Sequence, residues 1–396
     1  MILNSFRRIR ARKTISIAQR RFNAATSCFK PSPGQVEVVK WLKTHNVVVS
    51  ARPGAGKTAT AEALAMENQE VPIAVITYSK RLELDTKERL KKYAKVDTYT
   101  FHGLAGRLFG RIIKDDIDLI TERYSQCIPH IDEKFLKYHF IVLDELQDLT
   151  DNFYWLASTF IASVTRVTGR RPGILALGDS RQAIYDFKGA DSRYLEKAEA
   201  VFHHPVSVAD RDWKSLSLSH SFRLTRPTSD FINNACLGGE QYIIGMGDGP
   251  KPLYLRADMW KTEELFKKLM PHIEEYTPEK SAILAPSVRT NPHLNRLSNK
   301  LSNIGVRLSV SISDDAPLIE DVIRGKLVVS TYHQFKGSER DLVIVVGADD
   351  SWFRYFGPDM PRDRCPNPVF VALTRARKQV SRHSDPTESV ADLLCS

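Results

Sequence analysis

The segment Val47 to Ala65, VVVSARPGAGKTATAEALA, restricts the fold more than any other part of this chain. Four β-favouring residues, Val47 to Ser50, lead into a Gly/Pro-rich loop, and TATAEALA follows as a strong helix former. Ala51, Arg52, Pro53, Gly54, Ala55, Gly56, Lys57 and Thr58 match the pattern G-x-x-x-x-G-K-[ST], with alanine in the first glycine position. Gly54 and Gly56 let backbone N–H groups turn toward phosphates at a helix N-terminus. Lys57 is then placed to reach the β- and γ-phosphates, and the Thr58 hydroxyl to ligate magnesium. Strand, loop and helix in this order imply an α/β sheet that binds a nucleotide.

A second stretch, FIVLDELQDLT from Phe140 to Thr150, is an apolar strand-like run that ends in paired carboxylates. By itself it reads equally well as a strand ending in a polar turn. Beside a phosphate cradle it gains a chemistry. Asp144 is expected to hold magnesium through water, and Glu145 to position and deprotonate an attacking water. A parallel sheet gathers its ligand groups at the strands' carboxyl ends, which is where these acids stand.

Further apolar runs at Val47–Ser50, Ile73–Thr77, Ile174–Leu177, Ser281–Ala285, Leu327–Ser330 and Leu342–Val346 alternate with helical stretches and predict two parallel sheets. The 396 residues suffice for two or three domains. The longest apolar run, Leu342 to Ala348, is far short of the ~20 residues of a membrane span, so no membrane partner is expected. Five cysteines without a C-x-x-C pair argue against a zinc site or a disulfide framework and for a reducing compartment.

The net charge of +10 is concentrated at one end. Residues 1–30 hold eight Lys/Arg and no acid, which leaves 49 basic against 47 acidic residues in the rest. The basic character therefore describes a tail. An Arg-rich, acid-free, weakly amphipathic tail suits a mitochondrial transit peptide, and suits equally a basic arm that touches nucleic acid.

With these motifs in place, the string DELQD resembles the second motif of superfamily 1 helicases of the UvrD/Rep type. Other segments fall in that family's order: PSPGQVEVVKWL (Pro31 to Leu42), AVITYSKRL (Ala74 to Leu82), TYTFHGLAGRLF (Thr98 to Phe109), ALGDSRQAIYDFKGAD (Ala176 to Asp191), LSHSFRLT (Leu218 to Thr225), VVSTYHQFKGSERDLVIVVG (Val328 to Gly347) and VFVALTRARKQ (Val369 to Gln379). The resemblance implies two RecA-like parallel-sheet domains with ATP and Mg²⁺ bound in the cleft between them. It makes Gln35 the reader of the adenine edge, Gln182 a γ-phosphate sensor, and Arg223 and Arg375 arginine fingers from the second domain. Glu339, beside Gly337, becomes a ribose hydroxyl acceptor.

The same resemblance places Tyr78, His102, Thr331 and His333 along a nucleic-acid track. It makes Tyr185 and Phe187 a base-stacking platform, although two aromatics at this spacing are by themselves more often core. Stacking of this kind contributes ~1–3 kcal/mol per base and tolerates any sequence. The expected organisation is a basic tail at 1–30, a first domain at 31–205, a second at 206–380 and a polar tail at 381–396. The expected function is an ATP-dependent, 3′-to-5′ translocase or helicase on single-stranded DNA, acting as a monomer. An RNA-directed helicase and a non-catalytic binding module are the alternatives.

Two departures from the family stand out. The spaces for its helical insertions, between His102 and Phe140 and between Arg226 and Lys326, are too short for full-size ones. After Arg377 the usual closing apolar strand is nearly missing, since QVSRHSDPTESV is polar, and a truncated last strand is expected.

Overall fold

The computed structural model describes residues 29–125, 134–203, 211–258, 261–311 and 318–384. Nearly all of the basic tail and of the polar C-terminal tail lies outside these residues. Among the described residues two six-stranded parallel sheets form, each at the centre of an α/β domain of the RecA-like kind. The first runs β3-β2-β4-β5-β1-β6, from β1 (Asn46–Ala51), β2 (Ile73–Thr77), β3 (Val96–Thr100), β4 (Phe140–Leu143), β5 (Gly173–Gly178) and β6 (Trp213–Leu218). The second runs β11-β12-β10-β13-β14-β9. Its strands are β9 (Leu253–Arg256), β10 (Ser281–Ala285), β11 (Leu308–Val310), β12 (Leu327–Thr331), β13 (Arg340–Val346) and β14 (Ala376–Ser384). A small parallel pair, β7 (His220–Thr225) and β8 (Ile244–Gly247), sits between them in sequence.

The apolar runs become the interior strands because helices cover both faces of each sheet. In the first domain, Ile141, Leu143, Ile174 and Ala176 face one apolar cluster, while Val47, Val49, Val142 and Leu175 face the other. Residues two apart share a face and successive ones alternate, the period of a pleated strand. The second sheet repeats the arrangement, with Ala282, Val343 and Val345 on one side and Ile283, Leu342 and Ile344 on the other.

Two expectations are corrected. The chain does not leave the first domain at 205/206, because β6 bonds in parallel to β1 from Asn46↔Trp213 to Ala51↔Leu218. The switch of sheets follows Leu218. Nor is the last strand truncated: β14 spans nine residues and lies inside the sheet between β13 and β9. Two of its polar residues find internal partners, Gln379 Nε2 donating to Lys251 O at 3.1 Å and Arg382 Nη2 to Ala348 O. The short space after His102 contains the helix Asp116–Tyr124, capped by Asp115.

Candidate nucleotide site and aromatic cleft

The loop after β1 is shaped by two left-handed glycines, Gly54 at φ 76° and Gly56 at φ 87°. A Cβ on Gly56 would fall 2.9 Å from Gln35 Nε2, and one on Gly54 would fall 2.6 Å from Arg223 Cβ and closer still to Ser221 Oγ. Only glycine fits both the backbone conformation and the approach of β7 from the second domain. The loop opens into helix Lys57–Glu67, whose N-terminal N–H groups have no partners within the helix. A second fastening comes from Gln35. Ser32 and Gln35 form a capping box on helix Pro33–Leu42, and the Gln35 amide also reaches Gly56 O at 3.4 Å and Ala55 O at 3.5 Å. Gln35 thus holds the loop in place, in addition to lining the adjoining cavity.

At the tip of β4, Glu145 adopts φ 57°, a left-handed conformation that costs a non-glycine residue on the order of 1–3 kcal/mol. The turn aims its carboxylate at Lys57, 3.0 Å away. Gln147 bridges the acids, its Nε2 donating to Glu145 Oε2 at 2.6 Å and its Oε1 accepting from Asp179 N at 3.0 Å. Burial alone would raise the Glu145 carboxyl, but Lys57 and Lys336 hold it down to about 2. Asp144 goes the other way, since burial and the adjacent Glu145 push it up to about 7. Burial works against the Lys57 charge, and Glu145, Asp144 and Asp179 more than offset it, raising its pKa.

Lys57, Asp144 and Glu145 line a cavity of about 720 Å³ between the two domains, together with Thr58, Gln182, Arg223, Gly337, Glu339 and Arg375. Gln182 is the meeting point. Its Nε2 donates to Asp179 Oδ2 at 2.9 Å, and its Oε1 accepts from Arg375 Nη2 at 2.8 Å. Arg223 Nε donates to Glu339 Oε2 at 2.6 Å. Burial and the nearby Arg223 lower the pKa of Arg375, the sign of cations gathered where an anion belongs. The donors also fit a magnesium ion carried by phosphates, which takes one or two carboxylates and keeps its waters. Asp144 is a buried carboxylate short of positive charge, and Thr58 stands on the same wall.

A second cavity of about 360 Å³ shares Glu145, Leu82 and Gly337 with the first and is lined by Tyr78, Tyr185, Phe187 and His333. The two platform rings have different surroundings. Tyr185 lies flat on Tyr78, with centroids 5.5 Å apart at 11°, and its hydroxyl donates to His333 O at 3.2 Å. Phe187 is 64% exposed, with the His333 ring edge-on at 5.4 Å. The reading of both as core therefore fails for Phe187. Two track residues are not at the wall. Thr331 is buried, its hydroxyl accepting from Gln334 N at 3.2 Å, and His102 packs behind Phe153 and contacts Asp116 at 2.9 Å.

Sequence reasoning missed several residues that the geometry singles out. Phe222, next to Arg223, is exposed and lines the 720 Å³ cavity and an adjoining one of 780 Å³ bounded by Phe29 and Gln35. Lys336 of the second domain is buried against Asp148 Oδ2 at 2.5 Å and Gln182 O at 2.6 Å, and its Nζ lies 4.8 Å from the Tyr185 ring centroid. One cation thus joins the acids, the sensor and the aromatic cleft. The only sequence hints were its place three residues after His333 and the last acid of DELQD, Asp148.

Removing one partner of such a buried pair leaves the other unpaired. Lys336→Met should cost ~3–5 kcal/mol in denaturant unfolding, and adding Asp148→Asn should recover most of the loss. An unchanged unfolding midpoint for Lys336→Met would show that the pair holds nothing together.

Residues 35–188 match the AAA domain family. A curated relative, the "Putative ATP-dependent DNA helicase" of Acanthamoeba polyphaga mimivirus, is 23% identical over 359 residues, which cover 80% of this chain and 48% of the relative. The chain thus spans about half the length of that protein. Among solved structures, a complex of S. cerevisiae Dbp5 with Gle1 and IP6 superimposes with a TM-score of 0.53 at 16% identity, over 92% of this chain and 85% of Dbp5. This likeness is one of fold.

Proposed function

We propose that the protein is a superfamily 1 motor of the UvrD/Rep type, hydrolysing ATP between its two domains to move 3′-to-5′ along single-stranded DNA. The observation that carries the proposal is the contact of Arg375 with Gln182. A cation of the second domain is held against a first-domain amide at the wall of a cavity of about 720 Å³, so hydrolysis and domain closure share one contact. Lys57 and Thr58 bind the triphosphate and its metal, Glu145 accepts the proton of the attacking water, and Phe222 covers the base. Bound magnesium would draw charge from the phosphate oxygens. The Lys57–Glu145 ion pair occupies both groups before nucleotide arrives, and phosphate displaces the carboxylate, which frees it to act as base.

The match to the AAA domain, the mimivirus relative and the neighbouring aromatic cleft support a nucleic-acid motor over a binding module. Phe187 presents the free ring face, so Phe187→Ala should weaken single-stranded DNA binding about 5- to 150-fold, the equivalent of one stack. Its melting temperature should not change, because the ring is exposed. The choice of DNA over RNA rests on the motif resemblance and the relative's name. ATP turnover compared on DNA and RNA of the same sequence tests it: stronger stimulation by DNA is expected, and equal or stronger stimulation by RNA would establish the RNA-directed reading.

A further inference from the structure

We infer that Tyr242 is a positioning residue for hydrolysis, fixing the amide of Gln182 and the guanidinium of Arg52 as the two domains meet. The inference rests on the ATPase reading above. Tyr242 lies in a glycine-rich stretch between helix Arg226–Cys236 and β8, which the sequence marks only as a break. It is nonetheless buried. Its hydroxyl donates to Asp179 Oδ1, across the domain boundary.

Asp179 is itself buried, and its two oxygens are differently engaged. Oδ1 accepts from Tyr242 and from Arg181 N at 3.2 Å, while Oδ2 accepts from Gln182 Nε2 at 2.9 Å. A carboxylate only accepts hydrogen bonds. Gln182 must therefore turn its NH₂ toward Asp179 and its carbonyl oxygen toward Arg375, which donates to it at 2.8 Å. Without the tyrosine hydroxyl, Oδ1 keeps only the longer bond from Arg181 N, and the carboxylate is less firmly fixed. The Gln182 amide keeps its orientation but is held less rigidly, and its carbonyl oxygen drifts from Arg375.

The ring has a second task. The Arg52 guanidinium carbon lies 3.5 Å from its centroid and that of Arg181 5.0 Å, while Phe370 meets the ring at 6.1 Å and 74°. Arg52 belongs to the phosphate loop and lines the nucleotide cavity. Phe370 belongs to helix Asn367–Leu373, which leads into Arg375. One side chain thus touches the phosphate loop, the sensor loop and the finger helix. Burial and the Asp179 charge raise the phenol's pKa, so it keeps the proton it donates.

Tyr242→Phe in the full chain keeps the ring contacts and removes only the hydroxyl. The kcat of DNA-stimulated ATP hydrolysis should fall about tenfold, as for loss of one hydrogen bond to a charged group, with KM for ATP held within about twofold. Tyr242→Ala also releases Arg52 and should raise KM as well. In a Gln182→Ala background, Tyr242→Phe should have no further effect on kcat. A kcat for Tyr242→Phe within about twofold of wild type, or an equal fall in both backgrounds, would overturn the inference. A wild-type protein without ATPase activity would instead overturn the ATPase reading on which it rests.

Discussion

Arg375→Ala should lower ATP turnover by ~10³-fold or more, the scale on which arginine fingers act on phosphoryl transfer. Arg375 is buried and held from three sides. Its Nε donates to Val371 O at 2.9 Å, and its Nη2 donates to Thr374 Oγ1 at 3.0 Å and to Gln182 Oε1 at 2.8 Å. None of these partners is a carboxylate, so the charge is oriented but not neutralised. On the proposed function, a γ-phosphate would supply the missing anion, most strongly as negative charge builds on it in the transition state. Arg375→Lys should rescue little, since an ammonium cannot reproduce the planar fork that keeps two of these contacts at once. Single-turnover hydrolysis separates the step from binding, and a loss of less than about tenfold would remove Arg375 from the chemistry.

Glu145→Gln should retain ATP binding and lose turnover by ~10²–10⁴-fold, the usual contribution of a general base. The amide keeps the shape of the side chain and its bond to Gln147, but cannot take a proton from water. It also cannot pair with Lys57, which the wild-type carboxylate holds at 3.0 Å. Nucleotide therefore need not displace an ion pair, and affinity should rise. Weaker ATP binding together with normal turnover would reverse both roles. Lys57→Ala should weaken binding and turnover together, because on this reading its ammonium would touch the phosphates in both states.

Legibility in the sequence followed burial. β1, β2, β4, β5, β10, β12 and β13 all showed as apolar runs, since each is covered on both faces. The edges β3, β6, β9 and β11 did not, because a strand such as VDTYT at Val96–Thr100 is only half covered and its side chains stay partly polar. β14 was unreadable for another reason: Gln379 and Arg382 are buried in the sheet and donate to carbonyls that lie far away in sequence. The site divides similarly. Lys57, Thr58, Asp144 and Glu145 stand in local motifs whose spacing carries their chemistry, and the structure brings them to one wall. Lys336 meets Asp148 over 188 residues, and Tyr242 meets Asp179, both across the domain boundary, so no local pattern announces either contact. Thr331 stood in a readable motif, yet its side chain faces inward and caps a turn.

The central claim is that the aromatic cleft and the nucleotide cavity act as one device, joined by Lys336 between Tyr185, Asp148 and Gln182. Steady-state phosphate release with Mg²⁺ and ATP, titrated with single-stranded DNA, tests it most directly. The rate should rise and saturate as the cleft fills, and the rise should vanish in Lys336→Met assayed below its melting temperature. A rate that does not change with DNA, or a Lys336→Met variant stimulated like wild type, would contradict the account.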